Sequence, residues 1–485
     1  MERSSTPGGR GTRPTAHELA RYESLFAART RGMKSSAMRE MMALTERPDV
    51  ISLAGGLPDT STFPPELYER LMAEVSLQTA RALQYGPTEG MAATAECIVQ
   101  VMAAEGTAID PADVIVTTGG QQVIDLVCKT LIDPGDVIVA EAPTYPGAVP
   151  SFSAYQAEVE QIEMDSDGMP IDALEETLDR LAAQGRRPKF IYTIPNFQNP
   201  GGVTMSLARR RRLVEVARER ELLVLEDNPY GLLRYEGDPL PTLYSLDAAA
   251  VGRDSASDLV IYLGTFSKIL SPGLRLGWAV APRPVLEKLN LCKQGADLCS
   301  SPVTQMFVSA YFAEDGAWLR HVEHLRQLYR ARRDVMFEAL AEHFGESADW
   351  TRPEGGLFIW ATLDERIDTT DLLALARNTE GVAFVPGRAA YMDGRSGSSS
   401  MRLNFAGIPE AEIREGIARI GRAISQQLGL LGFLGSPPPP AAREGEAGEA
   451  APGEPPAPDT GEGLADVVKL PRRPDSARGR RRQDR

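Results

Sequence analysis

The chain is 485 residues long, 42% hydrophobic and 25% charged, with a formal net charge of −15. That length exceeds one simple core and calls for two or three substructures. The acidic balance argues against a general nucleic-acid binder, whose affinity comes from clustered Lys and Arg. Cys97, Cys128, Cys292 and Cys299 are scattered without a CxxC pair, so neither a disulfide framework nor a zinc site is expected, and a cytoplasmic location fits.

In chain order, the leader MERSSTPGGRGTRPT has no apolar run for secretion and reads as disordered over residues 1–19, ahead of an N-terminal arm over 20–64. Between 65 and 300, short apolar runs predict strands at Val114–Thr117, Val137–Ala140, Glu158–Ile162, Phe190–Ile194, Leu222–Leu225, Leu259–Leu263 and Leu276–Val280. Amphipathic stretches between them predict helices at Gln121–Leu131, Pro146–Ala154, Ile171–Gln184 and Ser206–Glu219. Val-, Ile- and Leu-rich strands alternating with helices imply an α/β fold with a mostly parallel, doubly covered sheet in a large domain over 65–300. Past 300 the pattern changes: a long helix over Trp318–Ala341, then apolar runs at Leu357–Ala361, Val382–Val385 and Met401–Phe405, then a helix over Glu410–Leu428. These predict a smaller α+β domain over 301–430. From 431 to 485, Pro, Gly, Ala and Glu dominate before a basic end, and such a segment cannot bury enough surface to offset its ordering entropy.

No stretch reaches the roughly 20 apolar residues that span a bilayer, so no membrane partner is expected. His321 and His324 share the polar stretch HVEHLRQLYRARR, which is not HExxH and reads as a solvated helix face; no metal is expected.

Chemistry concentrates at strand ends. In GTFSKILSPGLRLGW, residues 264–278, a strand delivers Thr265, Ser267 and Lys268, with Arg275 seven residues on. Burial lowers a lysine's pKa and frees its amine to attack an aldehyde. The hydroxyls and the guanidinium fork supply donors for a phosphate. A lysine of this kind beside a phosphate clamp is what pyridoxal 5′-phosphate (PLP) requires. In VIVTTGGQQVIDLV, residues 114–127, a strand ends in glycines before a helix, where the first N–H groups can meet an anion. The segment does not match GxGxxG or the Walker A pattern. LLVLEDNPYGLLRY, residues 222–235, brings Glu226 and Asp227 to a strand's carboxyl end, with Tyr230 beyond; a carboxylate there can keep a pyridine nitrogen protonated. In FIYTIPNFQNPGGVTMS, Asn199 can donate to a phenolate oxygen, and in EAPTYPGA, Tyr145 can stack on a ring. Each of these loops is also ordinary turn chemistry when taken alone.

Taken together, GGLPD (55–59), QYGPTEG (84–90), TTGGQQ (117–122), APTYPGA (142–148), PNFQNPGG (195–202), EDNPYG (226–231), FSKILSPGLRLGW (266–278) and MRLNFA (401–406) resemble fold-type I, class I/II aminotransferases. The branch they look most like holds the 2-aminoadipate and kynurenine aminotransferases, and the match covers roughly residues 20–430. The resemblance implies a PLP enzyme that moves the amino group of an L-amino acid to a 2-oxo acid, 2-oxoglutarate above all. The donor would be of the 2-aminoadipate, aromatic or branched-chain type. It also implies that Lys268 holds PLP and shuttles a proton, Asp227 pairs with the pyridinium nitrogen, Tyr230 and Asn199 hold the ring oxygen, and Tyr145 stacks on the ring. Gly120, Gln121, Thr265, Ser267 and Arg275 would cradle the phosphate, and Tyr85 would reach the phosphate of a neighbouring subunit in a homodimer with shared active sites. Arg402 would fork onto the substrate α-carboxylate, with Asn199 and the Gly55–Gly56 backbone nearby. The chain departs from the family pattern at Gly201, where relatives carry Thr, and at Gly120, where many carry Ser. The family also holds PLP-dependent β-lyases, and related domains serve as PLP-binding sensors fused to a winged helix; a substrate with a β-leaving group and a promoter mobility shift discriminate these alternatives.

Overall fold

Runs of Val, Ile and Leu with no solvent-facing residue make the centre of the fold. In the computed structural model, which describes residues 21–31, 33, 49–252, 256–345 and 348–435, they form β2 (Val114–Thr117), β3 (Val137–Ala142), β5 (Phe190–Thr193), β7 (Val260–Thr265) and β8 (Gly277–Val280), each buried along its whole length. They join β4 (Glu158–Glu163) and β6 (Leu223–Asp227) in a seven-stranded sheet of order β2-β8-β7-β6-β5-β3-β4. Strands that are apolar throughout need cover on both faces, and helices supply it. β4, at one edge, is the most exposed strand of this sheet; its Glu158 and Glu160 take Arg186 and Arg180 on the solvent side.

All neighbours in this sheet are parallel except those of β8, which runs against both β7 and β2. The reversal matters for the site. Gly277, at the start of β8, pairs with both Thr265 and Thr117, at the ends of their strands. The residues leading into β8, Arg275 among them, therefore arrive at the same sheet edge as the segments that follow β2, β3, β5, β6 and β7. In open α/β sheets this carboxyl edge is where ligands bind.

A four-stranded antiparallel sheet of order β12-β13-β10-β9 comprises β9 (Asp349–Trp350), β10 (Phe358–Thr362), β12 (Val385–Pro386) and β13 (Ser400–Asn404). The helix Thr369–Leu375 packs on β12, and the long helix Ala317–His343 packs against Glu410–Gly435. The single run expected at Val382–Val385 is divided. Val382–Ala383, β11, pairs in parallel with β1 (Ile51–Ser52), while Val385–Pro386 joins the larger sheet. The chain continues from β1 along this sheet: the Asn404 N–H donates to the Leu53 carbonyl at 2.9 Å, and Gly55 and Gly56 follow.

Other boundaries also move. β6 runs on through Glu226 and Asp227, because both pair in register with β7. The last helix continues past residue 430 to Gly435, so the start expected for the tail at 431 falls inside it. The helix Ala92–Ala104 has no counterpart among the expected elements: it buries Thr94, Ala95, Cys97, Ile98, Val101 and Met102, and burial so broad leaves little amphipathic stripe to read. The described residues all belong to one compact unit ending at Gly435. The leader expected over 1–19 and the tail from 436 to 485 lie outside the described residues.

Candidate active site

The sheet's carboxyl edge opens into a cavity of about 530 Å³. Lys268, Asp227, Tyr230, Asn199, Tyr145, Gly120, Gln121, Thr265, Ser267, Arg275, Arg402 and Gly56 all line it. These residues span the chain from 56 to 402 and meet because successive strands end side by side.

Lys268 leaves the end of β7. Its Nζ donates to the Gly56 carbonyl at 2.7 Å, and no carboxylate pairs with it in any described ion pair. Burial, with the nearby Arg402 and Arg275 guanidinium groups, lowers its pKa to about 8. A large fraction of the amine is therefore neutral and nucleophilic in a mildly alkaline buffer.

Asp227 ends β6 and is buried, with one carboxylate oxygen accepting the Tyr192 hydroxyl at 2.7 Å. Burial pushes its carboxyl up to about 7, against the lowering effect of the Tyr192 bond and with a further push from Glu141. A cation brought beside it would reverse that shift, so the position suits a positively charged ring nitrogen. Tyr230 turns its hydroxyl toward the Asn199 amide nitrogen at 3.4 Å, a long contact that leaves room for a third group. Its ring stands edge-on to Phe358, 6.0 Å between centroids, and burial raises the phenol well above its ordinary pKa.

Arg402, on β13, is fully buried. Nη1 donates to Asn199 Oδ1 at 3.0 Å and Nη2 to the Ala54 carbonyl at 2.7 Å, while the guanidinium lies 4.4 Å from the Phe358 ring centroid. Burial lowers its pKa to about 10, the phenols of Tyr230 and Tyr145 working the other way, so it stays a cation at neutral pH.

The anion end is built from backbone. The helix Gly120–Leu131 begins after Gly119, whose φ of 76° is the left-handed region that favours glycine. A Cβ on Gly119 would lie 2.6 Å from Arg275 Nη2, and one on Gly277 would lie 2.7 Å from the Gly119 carbonyl carbon. Only glycines let these backbones and the guanidinium come so close. Thr265 Oγ1 lies 2.9 Å from Ser267 Oγ and accepts the Ser267 N–H at 3.1 Å. First-turn N–H groups, two hydroxyls and a guanidinium beside a lysine fit the phosphate of PLP, and the Asp227 carboxylate fits its pyridine nitrogen.

Some expected residues sit differently. The Gln121 side chain donates to the Gly147 carbonyl at 2.8 Å and to Ser151 Oγ at 3.1 Å, so its backbone N–H is the group left for an anion. Gly55 does not line the cavity; its carbonyl accepts from the Asn404 amide. Tyr85 is 78% exposed and outside the cavity within this chain. At Gly201 a Cβ would lie 3.0 Å from Gln198 Oε1, a tight contact with the group that accepts the Gly201 N–H at 2.7 Å. At Gly120 a Cβ would press on the tip of Leu263 at 2.9 Å, a flexible neighbour.

Sequence reasoning missed Tyr192, Glu141 and Phe358. Glu141 ends near Thr193, Ile194 and Gln198, taking hydrogen bonds from all of them, and burial pushes it up to about 7. A polar residue inside an apolar strand, as in FIYT or VIVAEA, was the available signal. Its partner could not be read from spacing.

Residues 48–420 match the family described as aminotransferase class I and II. Aromatic-amino-acid aminotransferase 1 of Thermococcus litoralis is 44% identical over 409 residues, covering 84% of this chain and 95% of the relative. The 2-aminoadipate transaminase of Thermus thermophilus is 38% identical over 400 residues, covering 82% and 96%. Among solved structures, a Pyrococcus horikoshii kynurenine aminotransferase in complex with PMP superposes with a TM-score of 0.78 at 40% identity, covering 84% of this chain and 99% of that one.

Proposed function

The chain belongs to the class I and II aminotransferases, and we propose that Lys268 is the residue that holds its cofactor. Its reaction is PLP-dependent transfer of an amino group from an amino acid to a 2-oxo acid. The donor is an L-amino acid of the 2-aminoadipate, aromatic or branched-chain type, the acceptor 2-oxoglutarate. The observation that carries the assignment is a buried lysine amine, titrating near 8, in one cavity with Asp227 and Arg402.

Arg402 binds the α-carboxylate shared by donor and acceptor, its planar fork oriented by Asn199 and the Ala54 carbonyl. Asp227 holds a proton on the ring nitrogen, and Tyr192 fixes the carboxylate that does so. Tyr230 and Asn199 take the ring oxygen, and Tyr145 the ring face. Gly120, Gln121, Thr265, Ser267 and Arg275 take the phosphate. PLP bound there withdraws electrons from the substrate Cα and makes its proton acidic. Lys268 Nζ then moves that proton, and an amine titrating near working pH suits the task.

Tyr85, exposed in the single chain, completes the phosphate site of a second copy in a homodimer. The large domain spans 65–300 and the small one runs from 301 to the end of the last helix at Gly435. Four cysteines, all free, support a cytoplasmic location. No helix among the described residues is long and apolar enough to cross a membrane. Borohydride reduction of the yellow holoenzyme followed by peptide mass analysis tests the core of the proposal. The pyridoxyl group is expected on Lys268, and label on any other lysine overturns the assignment.

A further inference from the structure

The turn that starts the Gly120–Leu131 helix is tied from behind by groups that line no part of the cavity. Lys293 is fully buried, and its Nζ donates to Asp297 Oδ1 at 2.7 Å. The other oxygen of Asp297 accepts Thr118 Oγ1 at 2.8 Å and Gln122 Nε2 at 2.8 Å. Gln122 Oε1 in turn accepts the Thr118 N–H at 2.7 Å. Thr118, Gln122 and Asp297 thus form a closed ring of hydrogen bonds whose two protein ends flank Gly119, Gly120 and Gln121. Burial would raise the Asp297 carboxyl, but the bonds from Lys293, Gln122 and Thr118 outweigh it and hold the group below its ordinary range.

On the opposite side the same turn is pressed against β8. The close approach of Gly277 to Gly119 and Gly120, and of Arg275 to Gly119, leaves the backbone no freedom to retreat. The Thr117 hydroxyl also donates to the Gly119 carbonyl at 3.1 Å. Clamped from both sides, the first N–H groups of the helix keep one direction. Free N–H groups at a helix start bind an anion only when aimed at it, and a glycine pair without such ties has many other conformations.

We propose that Asp297, anchored by Lys293, is a positioning residue for the phosphate-binding turn Thr118–Gln122. The proposal rests on the reading that Gly120 and Gln121 hold the cofactor phosphate. Asp297 acts through Thr118 and Gln122, and its effect falls on the phosphate and not on the ring.

The test compares a ligand that carries the phosphate with one that lacks it. Full-length protein stripped of cofactor is titrated with PLP and with pyridoxal, followed by visible absorption. Asp297→Asn removes the charge, and the double variant Thr118→Val/Gln122→Met removes both donors while leaving the Lys293–Asp297 pair intact. In each, PLP affinity is expected to fall about tenfold, the loss carried by one charge-assisted hydrogen bond, with pyridoxal affinity unchanged within about twofold. Equal losses for both ligands mean general damage to the fold and overturn the proposal, as does an unchanged PLP affinity in the double variant. Wild-type protein that binds pyridoxal as tightly as PLP overturns the phosphate reading itself, and the positioning role falls with it.

Discussion

Replacing Arg402 separates binding of the α-carboxylate from everything else at the site. In Arg402→Ala the substrate carboxylate enters a desolvated cleft with no cation to meet it. A hydrogen bond to a charged group contributes about 1.5–3 kcal/mol, so KM rises by roughly 10- to 150-fold at 1.4 kcal/mol per decade. The variant also loses stability, because the Ala54 carbonyl and Asn199 Oδ1 both lose their donor, and each buried unsatisfied acceptor costs about 1–3 kcal/mol. Arg402→Lys distinguishes the two effects. It keeps a charge and can reach one acceptor, but it lacks the planar fork that meets a carboxylate with two parallel bonds. Its KM is expected to lie between those of wild type and Arg402→Ala, with thermal stability closer to wild type. The assay is steady-state kinetics with one amino acid, its decarboxylated amine and 2-oxoglutarate. KM rises for both carboxylate-bearing partners, since each occupies the same fork in turn. The amine is a poor substrate for wild type and is indifferent to the substitution. Unchanged KM for the amino acid in a folded Arg402→Ala protein would show that the carboxylate is held elsewhere.

Glu105 supplies a pH test away from the cavity. Burial and the nearby Glu226 push its carboxyl up to about 8, against the bonds it receives from Tyr262 at 2.5 Å and Asn228 at 2.9 Å. The unfolded chain gives up this proton near the ordinary value of 4.5, whereas the folded chain keeps it to about 8, so the residue makes stability fall as pH rises through that window. Glu105→Gln retains an acceptor for both donors and removes the proton; in urea denaturation its stability relative to wild type should improve from pH 5 to pH 8, and a constant difference refutes the linkage. For the shared site, Lys268→Ala and Tyr85→Phe proteins mixed under subunit exchange should yield hybrids with one site carrying both defects and one carrying neither. Activity at limiting PLP should then exceed that of either parent; no recovery leaves Tyr85 a surface residue.

Much of the architecture was legible because its signals are local. A fully buried parallel strand must be apolar along its length, and β2, β5 and β7 announce themselves so. Asp227 ends one strand of the sheet, Lys268, Asn199 and Tyr145 follow the ends of others, and the order of motifs along the chain pointed to the cavity they line. The boundaries that moved did so for tertiary reasons: β6 was lengthened by its register with β7, and the run near 382 was divided between two sheets.

What the residues determined alone was which groups stand at strand ends and what chemistry they can perform. The tertiary structure alone decided how those groups are held. Arg402 meets the Ala54 carbonyl across a separation of 348 residues, Asp297 meets Thr118 across 179, and Tyr192 meets Asp227 from the neighbouring strand. Composition and periodicity report on a residue's own element, because burial on one face or both sets the pattern there. A hydrogen bond between elements depends on strand order, register and side-chain direction together. One reversed strand, β8, brings Arg275 to the edge where the other strands end, and nothing in its own sequence required that reversal.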